Sequence, residues 1–172
     1  WYFLIVDSDL GFIHRTVQAH IKETSPLDLY TEMILPGFGR ADIVDLTFGV
    51  VWEVKHAGQM PMIRAAEAAT QAGKYIGGYQ NGTYITGLGL AGAFSGAFYV
   101  QFLDYSYLVS YYTPYPGVVL YSVHEVYNYD GSYYAVYVPK EEYTKSPSTQ
   151  GHPMHFVTDG NAGIPIVPIV PF

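Results

Sequence analysis

The chain has 172 residues, which is enough for one domain with a sizeable core and too few for two typical domains. Hydrophobic residues make up 49% and charged residues only 13%, a balance that excludes an intrinsically disordered chain. The net charge of −7 argues against a broadly basic nucleic-acid-binding module, and the absence of cysteine excludes disulfides, thiolate nucleophiles and zinc ribbons. We therefore expect a single domain over residues 1–172, in which the 17% of aromatic residues favours β-structure.

The first half of the chain predicts a helix, three strands and a second helix. Apolar residues recur at helical spacing after Asp9, an N-cap residue, until Ser25-Pro26 ends the run. Pro36-Gly37 and Thr47-Phe48-Gly49 then separate three strand-like segments, and Gly77-Gly78 follows an Ala-rich helical segment. The predicted bounds are Leu10–Glu23 for the first helix, Leu29–Leu35, Arg40–Leu46 and Val50–His56 for the strands, and Met62–Ile76 for the second helix.

The segment Tyr84–Leu103 carries no charged residue and, at 20 residues, is long enough to span a bilayer. Four glycines, at 87, 89, 92 and 96, and several Tyr and Thr residues interrupt its apolar character. Two interpretations stay open, a membrane-spanning segment and a buried hairpin or packed small-residue segment. The second interpretation requires no membrane and is the one we favour.

The second half of the chain is rich in tyrosine, with 13 of the 18 tyrosines beyond residue 86. Val118–Tyr127 and Tyr133–Val138 alternate Tyr with Val and flank Asp130-Gly131, which predicts a hairpin with a half-exposed aromatic face. We expect a core over about 10–110, followed by a Tyr-rich β extension and a Pro-rich tail over about 111–172. Three prolines in 164–172 predict an extended tail, because proline removes backbone donors.

The start of the chain is apolar from Trp1 to Val6 but lacks the basic flank and cleavage site of a signal peptide. The chain also has no initiator Met, so we expect a fragment of a longer protein or a processed product.

Two carboxylates are predicted to face each other across the hairpin of the second and third strands. If that hairpin is centred on Thr47-Phe48, residues whose numbers sum to 95 lie opposite each other, and Asp42 faces Glu53. Like charges in that position are destabilising unless a cation or a shared proton offsets them. Oxygen ligands without cysteine favour Mg²⁺ or Mn²⁺ over zinc.

Lys55 lies on the same face as Glu53, because residues two apart in a strand share a face. An ammonium beside the metal would position its water or offset charge developing on a phosphate. The alternative is that Asp42 is a turn residue, with Glu53 and Lys55 an exposed pair on an edge strand. Apolar neighbours such as Trp52 and Val54 favour a central strand, where stray charges are costly.

On the second helix, Gln71 and Tyr75 are four residues apart and share one face. The order helix, three strands, helix, together with Asp42, Glu53-Val54-Lys55 and Gln71-x-x-x-Tyr75, resembles the QxxxY branch of the PD-(D/E)XK nuclease superfamily. The resemblance covers roughly residues 10–78, with Ala41 in the place of the family's proline. It implies an α/β (α+β) fold with a restriction-endonuclease-like αβββα core and a mixed central sheet, followed by a further strand and helix.

By this resemblance, Asp42, Glu53 and the Val54 carbonyl would bind Mg²⁺ or Mn²⁺, Lys55 would be the catalytic lysine, and Gln71 and Tyr75 would line the site. The family often has an acid on the first helix, and Glu23 and Glu32 both remain candidates for that place. Other residues expected near the substrate are Arg40, His56 and Lys74. His56 should point to the sheet face opposite Lys55, which favours a structural or substrate-flanking role.

The remaining histidines give weaker metal signals. His14 and His20 are six residues apart and do not share a helix face. His152-x-x-His155 lies in a segment with Pro and Gly, where a metal site is a minor alternative.

The sequence thus predicts a metal-dependent nuclease, with DNA favoured over RNA as substrate. The run from Gly39 to Lys55 is also similar to toxin domains at the C-terminal ends of bacterial Rhs and contact-dependent inhibition proteins. That resemblance implies delivery from the producing bacterium into a target-cell cytoplasm, and a cognate immunity protein as partner. Two alternatives stay open: a membrane-active toxin that inserts residues 84–103, and a non-enzymatic aromatic β-module that binds carbohydrate or protein.

Overall fold

The computed structural model describes residues 8–102 and 105–138. The apolar start, the Pro-rich tail and the His152-x-x-His155 pair lie outside the described residues.

The predicted order of helix, three strands and helix is confirmed. The elements are α1 (Ser8–Thr24), β1 (Leu29–Leu35), β2 (Gly39–Asp45), β3 (Val50–His56) and α2 (Pro61–Gly73).

The helix α2 ends three residues earlier than the sequence pattern predicts. After Gly73 the chain forms tight turns, in which the Lys74 amide donates to the Gln71 carbonyl and the Tyr75 amide donates to the Ala72 carbonyl. Such three-residue hydrogen bonds are typical where a helix ends. The prediction that Tyr75 lies on the helix is therefore wrong, because Tyr75 belongs to the turn that follows.

Within the described residues, seven further strands follow α2, most of them in one large sheet. They are β4 (Tyr79–Gln80), β5 (Thr83–Tyr84), β6 (Gly87–Leu88), β7 (Ser95–Phe102), β8 (Tyr105–Tyr112), β9 (Val118–Tyr129) and β10 (Ser132–Tyr137). The large sheet has the order β1-β2-β3-β9-β8-β7, with β6 also on β3 and β10 also on β9. Its strands are antiparallel except that β6 and β9 run parallel to β3, so the protein is a mixed α+β fold.

The helices cover opposite faces of this sheet. On the α1 side, Ile13, Val17 and Ile21 pack with Trp52 and Val54 of β3. On the α2 side, one cluster joins Ala72 to Val44 and Val51, and another joins Ala65 and Ala68 to Val118 and Leu120. Because side chains alternate along β3, Glu53 and Lys55 lie on the α2 face. The site residues of β3 are therefore in the middle of the sheet and not on an edge strand.

The uncharged stretch 84–103 contributes strands to this fold. It contains β6 and all of β7, and β7 forms an antiparallel hairpin with β8. Among the described residues, no helix has the length and apolar composition needed to cross a bilayer.

One glycine of that stretch is required by close packing. Gly89 lies under the indole of Trp52, and a Cβ built on Gly89 would overlap the ring carbons. The Gly89 amide also donates to the Val51 carbonyl, which fixes the backbone beside β3. The space below the Trp52 ring is therefore too small for any side chain at position 89.

Gly89→Ala is expected to destabilise the protein by about 1–3 kcal/mol, because the added methyl must displace the Trp52 ring or the backbone. Gly87→Ala is the matched control, since a Cβ at Gly87 has no heavy atom within 4 Å. Urea unfolding monitored by tryptophan fluorescence measures both. Equal midpoints for the two variants would contradict the packing described.

The tyrosine-rich hairpin is confirmed at its predicted turn. Tyr129 pairs with Ser132, and the two residues between them, Asp130 and Gly131, both have positive φ (52° and 77°). Two positive φ values are the requirement of a type I′ turn. The long strand β9 thus begins beside β3 at Glu53–His56 and continues into a half-exposed tyrosine ribbon.

Candidate active site

The β2–β3 hairpin has the register that the sequence predicts. Ile43 pairs with Trp52, Val44 with Val51 and Asp45 with Val50, so Asp42 and Glu53 are the next opposed positions. There the ladder is replaced by a side-chain contact, in which the Val54 amide donates to Asp42 Oδ2 at 2.8 Å. Asp42 is 8% exposed and Glu53 is 5% exposed, so two buried carboxylates lie where the two strands separate.

Glu53 is held in an environment that disfavours its charge. Its Oε2 atom is buried and accepts no hydrogen bond from the described residues. Burial, and secondly the negative charge of Asp42, raise the pKa of Glu53 to about 8, while the positive charge of Lys55 acts in the opposite direction. At neutral pH the metal-free pair therefore retains a proton that a cation would replace.

Lys55 and Gln71 meet above the α2 face of β3. Lys55 Nζ donates to Gln71 Oε1 at 3.4 Å, which connects the strand to the last turn of α2. Both side chains line a shallow open depression of about 420 Å³ together with Glu67 and Lys74. Through this depression Lys55 is open to solvent.

Tyr75 is buried close to the carboxylates of Asp42 and Glu53. It is 4% exposed, and its hydroxyl donates to the Arg40 carbonyl at 2.7 Å. Burial raises the pKa of Tyr75, so the phenol stays neutral near the two carboxylates. Gln71 is also close enough to hydrogen-bond with Tyr75, so the two residues of the predicted motif do meet, although Tyr75 is outside the helix.

Of the two alternative acids, the structure brings Glu32 and not Glu23 to Asp42. The β1–β2 ladder pairs Thr31 with Ile43 and Met33 with Ala41, so Glu32 stands opposite Asp42. Glu23 is exposed near the far end of α1.

Glu32 has an unusual backbone for a residue inside a strand. Its φ is +54°, a conformation uncommon for residues other than glycine, and it forms no ladder pair with Asp42. Its Oε2 atom forms an ion pair with Arg40, with Nε at 2.9 Å. Arg40 is thus placed beside the site, but its charge is engaged with Glu32.

Two residues of α1 belong to the site and were not predicted. His14 Nε2 lies 3.2 Å from Asp42 Oδ1, and the fully buried Gln18 donates to the same oxygen at 3.1 Å. Their i, i+4 spacing places both on one face of α1, but this spacing alone does not show that the face meets Asp42. His14, Glu32 and Asp42 each offer a ligand atom within 4.8 Å of those of the other two, which is close enough to hold a metal ion.

The other predicted residues lie further from the pair. His56 is buried on the opposite face from Lys55, as expected, and its ring packs edge-on against Tyr121. Lys74 lines the depression at its outer end. The backbone amide of Val54 donates a hydrogen bond to Asp42 Oδ2, whereas the predicted metal contact involves the Val54 carbonyl.

Comparisons of the chain with protein-family models, with curated proteins and with solved structures gave no match.

Proposed function

We propose that this protein is a metal-dependent nuclease of the PD-(D/E)XK type that hydrolyses phosphodiester bonds, with DNA favoured as its substrate. The observation that carries the proposal is the pair Asp42 and Glu53, buried side by side, with Lys55 on the same strand face as Glu53. Buried like charges are costly, so their retention in the centre of a sheet indicates a ligand that compensates for them.

The donor set fits a hard divalent cation. Asp42 and Glu53 supply carboxylate oxygens, the type of ligand that Mg²⁺ and Mn²⁺ prefer, and Glu53 Oε2 has no hydrogen-bond partner among the described residues. We assign Asp42, Glu53 and the Val54 carbonyl as the residues that would hold the ion. When bound, such an ion supplies an activated water and stabilises negative charge on the phosphate.

The chain's own residues have distinct roles in this proposal. Lys55 offsets charge that develops on the phosphate, and its bond to Gln71 fixes the direction of its ammonium group. Gln71 and Tyr75 restrict the position of the substrate backbone. Lys74 contributes positive charge at the rim of the depression, whereas Arg64 is paired with Glu67 at 2.9 Å.

The fold supports the same proposal in its order and layers. The strand β9 runs parallel to β3 after α2, and in this proposal it would be the further strand that the resemblance implies. It arrives only after β4 to β8, so the restriction-endonuclease-like core would contain a large insertion.

In the same proposal the domain acts as a bacterial toxin with a cognate immunity protein, for which a growth assay on expressing cells is the direct test.

The test uses supercoiled plasmid and linear RNA with about 5 mM Mg²⁺ or with EDTA, at about neutral pH where cellular nucleases act. We expect Mg²⁺-dependent cleavage of the plasmid, no cleavage in EDTA, and no cleavage by Asp42→Asn. Asp28→Asn is the matched control, because Asp28 is exposed and lies outside the site. An Asp42→Asn protein as active as wild type, or cleavage insensitive to EDTA, would overturn the proposal.

A further inference from the structure

A second cluster, beside the predicted carboxylate pair, has the arrangement of a cation site with a histidine ligand. Its members are His14 and Gln18 of α1, Glu32 of β1 and Asp42 of β2. Asp42 belongs to both clusters. His14 and Gln18 have no place in the nuclease proposal, so their convergence on Asp42 needs its own explanation.

The amide nitrogen of Gln18 stands at the centre of three possible metal ligands. Gln18 Nε2 is 2.7 Å from Glu32 Oε1, 3.1 Å from Asp42 Oδ1 and 2.9 Å from His14 Nε2. Gln18 is 1% exposed, so bulk solvent does not reach this position.

A primary amide is a poor occupant of this position. It has two hydrogens and so can donate to two acceptors, whereas three ligand atoms surround it. If His14 Nε2 carries a proton and donates it to Asp42, two donors, His14 Nε2 and Gln18 Nε2, face each other with no acceptor between them. If His14 Nε2 is unprotonated, one of the three contacts lacks a hydrogen. A cation satisfies all three atoms at once.

A second observation is a buried oxygen beside this cluster that has no hydrogen-bond partner in the described part of the chain. The carboxyl of Glu53 is more than nine-tenths buried, lies against Asp42, and has one oxygen without a hydrogen-bond partner among the described residues. The cluster and its neighbour therefore contain three carboxylates, and in the described part of the chain only Glu32 among them pairs with a guanidinium, that of Arg40.

We propose that His14, Glu32 and Asp42 form a divalent-cation site whose position is occupied by the Gln18 amide in the metal-free protein. One imidazole and two carboxylates are ordinary ligands of divalent metal ions, and Mn²⁺ is the probe ion used to test the site. Ion–ligand distances of about 2.0–2.2 Å require the three atoms to move inward by less than about 1 Å once Gln18 rotates away. The site itself rests on the geometry of these residues, and only its contribution to cleavage rests on the proposed nuclease function.

The test measures binding of Mn²⁺ directly, without any nucleic acid. The free-ion electron paramagnetic resonance signal gives the affinity, and electron spin echo modulation on ¹⁵N-histidine-labelled protein reports nitrogen coordinated to the bound ion. We expect histidine coupling in the wild type, its loss in His14→Ala, and at least about tenfold weaker Mn²⁺ binding in that variant. His20→Ala is the control, because His20 is on the same helix but hydrogen-bonds with Tyr111.

The variant Gln18→Met tests whether the Gln18 amide only occupies the ion position or is itself a ligand of the ion. Methionine keeps the volume of the side chain but cannot donate to Glu32 or Asp42, so Mn²⁺ binding should tighten. A side chain needed only for folding would weaken binding in both His14→Ala and Gln18→Met. Circular dichroism checks that each variant is folded. The histidine coupling is measured on the wild-type protein, so it does not depend on whether a variant folds.

The outcomes distinguish this proposal from the nuclease function. Absence of histidine coupling in the wild type, or weaker Mn²⁺ binding in Gln18→Met, would overturn the site while leaving Mg²⁺-dependent cleavage intact. Histidine coupling that depends on His14, in a protein that cleaves no nucleic acid, would support the site and overturn the nuclease function.

Discussion

Replacement of Glu53 by glutamine is expected to stabilise the metal-free protein at neutral pH and to abolish cleavage. The two effects have one cause, the carboxyl that is buried beside Asp42 with a pKa raised to about 8. Glutamine keeps the shape of the side chain, carries no charge, and can donate to Asp42 in place of the shared proton. It removes one of the two carboxylates assigned to the metal.

The sign of the stability effect follows from the two pKa values. Below pH 4.5 the Glu53 carboxyl is protonated in both the folded and the unfolded protein, so it gives no pH dependence. Between pH 4.5 and about 8 only the unfolded state is ionised, and the free energy of unfolding falls by up to about 1.4 kcal/mol per pH unit. Above about pH 8 the loss is complete.

Glu53→Gln should therefore match the wild type near pH 4.5 and exceed it by about 3 kcal/mol near pH 7. Urea unfolding in EDTA at several pH values across this window measures the difference. Glu125→Gln, the same chemical change on β9, should parallel the wild type at every pH. If Glu53→Gln shows the same pH slope as the wild type, Glu53 is ionised in the metal-free protein.

Replacement of Lys55 by methionine is expected to lower kcat by about 10²–10³-fold, with little change in stability. Methionine retains the length of the aliphatic chain beside Gln71 but loses the ammonium that, in the proposed function, offsets charge on the phosphate. Because this interaction strengthens as charge develops, kcat should fall more than KM rises.

The matched control for Lys55 is Lys22→Met, since Lys22 is exposed on α1 and lies against Tyr30. A second consequence can be measured on the same protein. The charge of Lys55 lowers the pKa of Glu53, so its removal should shift Mg²⁺ dependence to higher pH. An unchanged kcat in Lys55→Met would contradict the catalytic role proposed for Lys55.

Local patterns are sufficient to predict the first half of the fold. The turn residues Pro36-Gly37 and Thr47-Phe48 separate three predicted strands. The predicted bounds of these strands agree with the structure to within one residue. A hairpin register follows from its turn, which is why the opposition of Asp42 and Glu53 can be deduced from the residue numbers alone.

The same arithmetic distinguishes Glu32 from Glu23. A turn centred on Gly37 makes residues that sum to 74 opposite each other, which places Glu32 beside Asp42. The positive φ of Glu32 does not follow from such arithmetic, because the sum of residue numbers gives the pairing of the strands and not their backbone angles.

The contribution of α1 to the site is hidden in the sequence for a different reason. The spacing of His14 and His20 gives no metal pair, and the partner of His14 on the helix face is Gln18, which is not a typical metal ligand. How α1 lies on the sheet is set by the packing of Ile13, Val17 and Ile21, and this packing aims His14 at Asp42. Such tertiary placement is not encoded in the spacing of residues along one helix.

The left-handed backbone of Glu32 limits which amino acids can serve at position 32. That conformation costs a residue with a Cβ about 1–2 kcal/mol, and glycine or asparagine would adopt it more easily. Neither of these residues could accept the Arg40 guanidinium as a carboxylate does or supply an anion next to Asp42. A substitution at position 32 that relieves the backbone strain therefore also removes the charge beside Asp42, so the protein can gain stability there only by losing a member of the charge cluster.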